Sequence, residues 1–375
     1  MWITEVASAW LMLSITSSPL WVSLIQTASM APILIFGLLT GALADRSDKK
    51  VLMVFSQVWI AVISGLIFMI VVFGGLNKYL LLILMFANGF GLAVRWPVFA
   101  SIMPELVSKP DLSSALALNG VSINLSRVIG PIFAGLVVVY FGVKYNFLLI
   151  FVLSISAAII LILWKFNFKK SVAIKESFGA SIINGIRLAT SNQSFRVIIV
   201  NLSIFFVNAI SVFCLLPLAS KGISDGPTYY TLLLACSGLG ALIAAFFYPY
   251  LARRFPSRNL IYIGFMVQGL AAVILGLSQT VLGGMIAMFV SGVSYLTTSN
   301  TLIVSAQVLL TDPLRARGMS MVQMTIMGGG ALGSVLWGKL AEFFSVQFSL
   351  VFSGISIFLF GIVLLLFYFR KTVKL

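Results

Sequence analysis

Gly41-Ala-Leu-Ala-Asp-Arg-Ser-Asp-Lys-Lys50 sets five charged residues among ten, at the junction of two long stretches, Leu20–Ala44 and Val51–Asn77, that carry none. A helix that crosses a bilayer needs about 20 apolar residues, so each stretch reads as one span and the charged segment as the loop joining them. A second segment, Pro249-Tyr-Leu-Ala-Arg-Arg-Phe-Pro-Ser-Arg258, follows another charge-free run, Gly226–Ala252. Leu43 and Leu251, Ala44 and Ala252, Arg46 and Arg254, and Lys50 and Arg258 correspond between the two. A loop repeated at the same place in two sets of spans makes the chain two similar halves, the parallel-repeat build of many secondary transporters.

Counting outward from the first loop gives Tyr79–Val94, Leu112–Ser126 continuing past Arg127 to Val143, and Tyr145–Trp164. The second half adds Val197–Ser220, Gly226–Ala252, Gly318–Gly338, Phe343–Phe369 and the 53 uncharged residues of Asn259–Thr311. That last run is long enough for two helices, with a break near Ser278–Thr280. Met1–Thr16 is apolar but lacks the basic start and small-residue cleavage site of a signal peptide. Its 16 residues reach roughly 24 Å at 1.5 Å each, short of the ~30 Å hydrocarbon core, so the chain is expected to begin inside its first helix. The fold class is therefore an all-α polytopic membrane protein with twelve transmembrane helices in two pseudo-symmetric six-helix bundles. The bundles are residues 1–164 and 197–375, the second ending in a short basic tail. Between them, 165–196 forms a linker with Lys165, Lys169, Lys170 and Lys175 and a weakly amphipathic stretch, Phe178–Thr190, of the kind that lies on a membrane surface.

Composition agrees with that count. Hydrophobic residues make up 61% and charged residues 9% of 375, against about 25% charge in ordinary soluble domains. A net charge of +15 would suit nucleic acid if it formed a patch, but the bases sit in short clusters between uncharged runs. Eighteen Lys and Arg fall in the loops and tail on one side, four (Lys78, Lys144, Lys221, Lys339) on the other, and Arg95 and Arg127 within spans. The positive-inside rule then places both termini in the cytoplasm of a multi-pass inner (plasma) membrane protein. Cys214 and Cys236 both lie in apolar runs, so no disulfide framework is expected. The chain contains no histidine, the commonest metal ligand and neutral-pH base.

The residues Gly41, Leu43, Ala44, Asp45, Arg46, Lys49 and Lys50 resemble the signature loop of the major facilitator superfamily, with Asp48 where that family usually has Gly. Physically, Gly41 allows close helix approach, and Asp45 can accept charge-assisted hydrogen bonds from Arg46 or from a helix N-terminus across the seam between halves. Such a latch favours the outward-facing state. The alternative is a loop serving topology alone. In span five, Gly130-Pro131 with Ala134-Gly135 resembles the family's antiporter motif, with Ala117 and Ser126 where Gly is usual. Small residues there make a flat face for a neighbouring helix, and the proline removes a backbone bond. The motif implies export more than import. The stretch Pro104–Asn119 together with Arg315-Ala-Arg-Gly318 is similar to the bacterial branch containing the enterobactin exporter and the transmembrane secretion effectors. That resemblance implies roughly twenty further residues upstream.

Ionisable residues inside spans are functional candidates by default. Of nine acids, only Glu5 falls well within a span, and a carboxyl at that depth suits proton exchange. Arg127, near the middle of span five, and Arg95, in the inner third of span four, can hold an anionic group or pair with a carboxylate. Arg95 is equally a partner for the Asp45 latch. Gln26, Asn124, Asn201, Asn208, Gln307 and Gln323 are polar positions that line a cavity or join helices. Two cations against one acid favour anionic or neutral amphipathic cargo.

Together these residues specify a secondary active transporter that exports small amphipathic molecules, drug-like or siderophore-like, by proton-coupled alternating access. A nutrient or metabolite importer on the same fold and an inactive truncated transporter remain alternatives. An enzyme is not expected, since the spans hold one carboxylate and no histidine. No Gly-x-x-x-x-Gly-Lys-Ser/Thr loop for ATP occurs. The expected partners are a small-molecule substrate, protons and lipid, with no nucleic acid, no cofactor and no metal, in a monomer.

Overall fold

The computed structural model describes residues 1–108, 111–165, 192–223, 226–310 and 312–372. Six helices precede the linker: α1 Trp2–Ile15, α2 Pro19–Arg46, α3 Lys49–Val72, α4 Lys78–Leu106, α5 Leu112–Phe141 and α6 Lys144–Leu163. After it come α7 Gln193–Cys214, the short α8 Leu216–Lys221, α9 Pro227–Arg254, α10 Ser257–Leu277, α11 Val281–Leu309, α12 Asp312–Phe343 and α13 Val346–Thr372. Eleven stretches are long and apolar enough to cross a membrane, α7 and α8 counting as one, and α1 is a shorter apolar helix. The linker's Phe178–Thr190 lies outside the described residues.

Lipid offers the backbone no hydrogen bonds, so each span must be a helix throughout and each end must be capped. Side chains do the capping where loops are short. Asn77 Oδ1 accepts from Leu80 N at 2.9 Å, Asn192 Oδ1 from Phe195 N at 3.1 Å and Thr280 Oγ1 from Gly283 N at 3.1 Å. Asp48 Oδ1 accepts from Lys50 N at 2.8 Å and Val51 N at 3.4 Å. The residue that replaces the family's glycine is thus the N-cap of α3, and its backbone (φ −64°, ψ 116°) is open to any side chain. A genuine glycine requirement occurs at Gly142, whose φ of +99° ends α5 while its N–H reaches Val137 and Val138 O.

The packing is duplicated. In the first half α2 packs on α4, α3 on α4 and α6, and α1 on α5. In the second, α9 packs on α11, α10 on α11 and α13, and α7 on α12. Each pair is the same pair six spans later. Small residues let backbones close in, as lipid-embedded helices require: a Cβ added at Gly354 of α13 would fall 2.6 Å from Gly269 O of α10. The halves meet along two seams, α2 against α12 and α5 against α9, which are themselves counterparts.

Arg46, Lys49, Lys50, Arg253, Arg254 and Arg258 mark the basic end of the bundle, and Lys78, Lys144, Lys221 and Lys339 the far end. At the far end Lys78 Nζ sits 4.4 Å from the centre of the Trp21 ring and 5.3 Å from that of Tyr79, the amphipathic pairing favoured at a membrane surface.

Candidate functional site

From the far end inward, the α2–α12 seam closes through successive contacts. Ser18 Oγ donates to Glu342 Oε2 at 2.6 Å, and Leu20 N donates to the same oxygen at 3.3 Å. Next, a Cβ on Gly338 would fall 2.7 Å from that of Ser23, and Thr27 Oγ1 donates to Ala331 O at 3.0 Å. The α5–α9 seam closes over the same depth. A Cβ on Gly135 would lie 2.6 Å from Thr231 Cγ2, and Trp10 of α1 stacks on Tyr230 of α9 with ring centres 6.2 Å apart. Both seams are tight from the far end to mid-depth.

On the basic side of that closed stretch lies a cavity of about 600 Å³ between the halves. Its walls come from residues 1–5 of the chain's start, 26–37 of α2, 85–97 of α4, Arg127 of α5, Phe206 of α7, 295–303 of α11 and 319–327 of α12. The lining is mostly apolar and includes six methionines, Met1, Met30, Met85, Met319, Met324 and Met327. Thioethers adapt to varied shapes, so this wall suits a cargo recognised by bulk rather than by one outline.

Among the residues proposed from sequence, the structure gathers Glu5, Gln26, Arg127 and Gln323 at this cavity. Gln26 Nε2 donates to Glu5 Oε1 at 3.3 Å. Arg127 lies with Cζ 4.9 Å from the Trp2 ring centre and 5.8 Å from that of Tyr295, so aromatic faces from both halves hold one guanidinium. Its buried Nε has no hydrogen-bond partner among the described residues, and Gln26 Oε1 and Asn88 Nδ2 share that condition. Unpaired buried polar atoms are costly and rare, and three of them belong to residues of this cavity's wall.

Other candidates lie elsewhere. Asn124 Nδ2 donates to Gly120 O at 2.9 Å and Asn208 Nδ2 to Ile204 O at 2.8 Å, each within its own helix and away from the cavity lining. Their amide groups turn back to a carbonyl four residues earlier, as polar side chains in a helix readily do. Arg95 stands on α4 between buried Val94 and cavity-lining Trp96, and is not itself part of the lining.

Three of the four motif positions in α5 each meet a different neighbour. Gly130 receives Trp2, whose Cβ would lie 2.7 Å from an added Cβ, and Gly135 receives Thr231 across the seam. Pro131 and Ala134 are buried, and Ala134 O accepts from Asn146 Nδ2 of α6 at 3.1 Å. Pro131 has no N–H to give the carbonyl of Arg127, four residues earlier. At that carbonyl Gly238 of α9 makes its close approach, an added Cβ falling 2.7 Å from Arg127 O.

Of the loop residues, the surroundings of Gly41 and the side chains of Asp45 and Arg46 lie outside what the structure describes. Lys49 is buried. Lys50 Nζ donates to Ile162 O at 3.0 Å and Trp164 O at 2.7 Å, so it caps the end of α6 within its own half. Trp2, Asn88, Tyr295 and Glu342 were not picked out from sequence. Trp2 and Tyr295 are two aromatics among many, and Glu342 sits beside a loop where an acid reads as solvated.

Two similar six-span sets joined along two seams, with a polar-studded cavity between them, define a membrane carrier for small molecules. The model of the transmembrane secretion effector family matches residues 1–374, and the chain belongs to that family, whose relatives are transporters of the major facilitator type. It is 22% identical over 363 residues to the staphyloferrin A transporter of Staphylococcus aureus (strain NCTC 8325 / PS 47), covering 95% of this chain and 89% of that one. It is 24% identical over 121 residues to macrolide efflux protein A of Streptococcus pyogenes, covering 32% and 30%. Among solved structures, the nucleoside transporter NupG superposes with a TM-score of 0.78 at 12% identity, over 97% of this chain and 94% of that one. A bacterial homolog of the human lysosomal transporter Spinster, captured inward-facing and unoccupied, gives 0.76 at 12%, over 98% and 92%.

Proposed function

We propose that this carrier exports small amphipathic molecules from the cytoplasm across the inner membrane, in exchange for protons taken through Glu5. The observation that carries the reading is the sharing of one cavity by Glu5, Gln26 and Arg127. On this reading the basic end is cytoplasmic, and the cavity on its side of the closed seams belongs to the inward-facing state. The halves 1–164 and 197–375 rock against each other, and the loop Gly41, Asp45, Arg46, Lys49 and Lys50 latches the basic end when the cavity turns outward. Lys50, held by α6 here, is released to that task. The antiporter-like Gly130, Pro131, Ala134 and Gly135 support the exporting direction, as does similarity to a macrolide efflux protein, and the similarity to a staphyloferrin A transporter supports a siderophore-like cargo.

With Glu5 ionised, its charge offsets that of Arg127, and a neutral amphiphile can enter the cavity. A proton that neutralises Glu5 alters that balance and favours the unloaded return, so cargo and proton alternate. About 60 mV of proton-motive force is worth about 1.4 kcal/mol per proton, so a single carboxyl suffices for tenfold accumulation.

The test is uptake of drug-like amphiphiles and siderophores into inside-out vesicles. Glu5→Gln is expected to abolish gradient-driven uptake while downhill exchange continues. Equal uphill transport by wild type and variant would dismiss Glu5 as the coupling group. Accumulation on the cytoplasmic side would reverse the direction.

A further inference from the structure

Ser18 occupies the N-cap of a 28-residue helix, and serine is among the preferred residues there because its oxygen can accept from the first free amides. In this structure it makes no such bond. Its hydroxyl instead donates to Glu342 Oε2 at 2.6 Å, and that same oxygen takes the amide of Leu20 at 3.3 Å. The cap of α2 is therefore supplied by a carboxylate from α12, on the other half of the molecule. Pro19 brings no N–H to that first turn, so Leu20 offers the first free amide, and Glu342 has it.

We infer that Glu342 is the far-end lock of the carrier, a positioning residue that holds the seam shut by capping α2 in trans, while Ser18 takes the cap back when the halves part. Three features make the exchange bistable. A carboxylate on a helix N-terminus is favoured by the amides and by the helix dipole. The bond crosses the α2–α12 seam, so it cannot survive separation of the two helices. Ser18 already sits at the N-cap with extended backbone (φ −69°, ψ 121°), so a turn of its χ1 restores a local cap and no amide is stranded in the open form. The deeper contacts of this seam, Ser23 with Gly338 and Thr27 with Ala331, bring no charge to it. This inference rests on the carrier architecture alone and is independent of transport direction and of Glu5.

The experiment uses the full chain in lipid nanodiscs with spin labels on cysteines introduced by Ser17→Cys and Phe344→Cys, both positions exposed, in a Cys214→Ala, Cys236→Ala background. Pulsed distance measurement reads the fraction of molecules open at the far end. Glu342→Ala is expected to raise the open-to-closed ratio about two- to fivefold, the range of an exposed charge at a helix terminus. Glu342→Asp should stay near wild type, and Glu342→Gln should fall between. Ser18→Ala should change the ratio less than Glu342→Ala, because Ser18 serves both states. An unchanged distribution for Glu342→Ala, or a larger shift for Ser18→Ala, overturns the lock. If Glu342→Ala does not fold, the isosteric Glu342→Gln decides alone, a rise supporting the lock and no rise refuting it.

Discussion

Replacing Gly135 with alanine tests whether the α5–α9 seam is what closes the far end. An added Cβ would stand 2.6 Å from Thr231 Cγ2 and 2.8 Å from Thr231 Cβ, whereas carbon atoms rest about 3.5–4.0 Å apart. The shortfall is about 1 Å. Thr231 can yield by rotating, but its Oγ1 donates to Thr228 O at 2.9 Å, and giving up that bond costs about 0.5–1.5 kcal/mol. If instead the helices separate, the overpacking cost is about 1–3 kcal/mol. Gly135 lies eight residues past Arg127 on α5, about 12 Å nearer the far end at 1.5 Å each, so the penalty falls on the state closed there. The expected shift toward the open state is therefore between about 2-fold and 150-fold, since 1.4 kcal/mol is a factor of ten. The same far-end label pair reads it. Adding Thr231→Gly removes the colliding atoms and should return the ratio toward that of Thr231→Gly alone. A Gly135→Ala protein with wild-type distances and wild-type melting temperature would refute the claim that this seam is tight because glycine makes it so.

Two other outcomes follow from the geometry. Asp48→Ala removes the cap of α3 and should cost about 0.5–2 kcal/mol, whereas Asp48→Gly should cost only a few tenths; comparing the two by thermal melting separates a capping role from a turn requirement. Arg127→Ala should weaken cargo binding about 10- to 150-fold if the guanidinium meets a polar group of the cargo, at about 1.5–3 kcal/mol per charged hydrogen bond. Arg127→Lys keeps the charge but loses the planar fit over Trp2 and Tyr295, and titration of a fluorescent amphiphile should rank it between the two; an unchanged affinity for Arg127→Ala would remove that residue from the binding site.

Hydropathy made the spans legible because lipid leaves no choice: a long uncharged run must be a helix, and the loops between must carry the charge. The repeat was legible for the same reason, as Leu251 to Arg258 sits where Leu43 to Lys50 does. What hydropathy cannot tell is which side of a helix meets which neighbour, since lipid and protein interior are equally apolar. Gly135 and Thr231 each read as ordinary span residues, and only the fold brings them together. Polar residues followed the same limit. Glu5, Gln26, Arg127 and Gln323 reach one cavity, but Asn124 and Asn208, of the same chemical type and also within spans, turn their amide N–H groups to carbonyls of their own helices. Glu342 was illegible for a different reason: it works through a helix end more than three hundred residues earlier.

The meeting of Gly238 with the carbonyl of Arg127 has a mechanical consequence. Arg127 stands fifteen residues from the start of α5 and fourteen from its end, so the place where two bare backbones touch is the midpoint of a rod about 45 Å long. A glycine facing a carbonyl offers no knob to catch in a hole, so at this point one helix can roll on the other without first climbing over a side chain. A lever balanced at its centre moves both tips alike, and a tilt of about 10° would carry each tip by about 4 Å at an arm of about 22 Å. On the proposed alternating-access reading, opening at one surface and shutting at the other are then a single displacement.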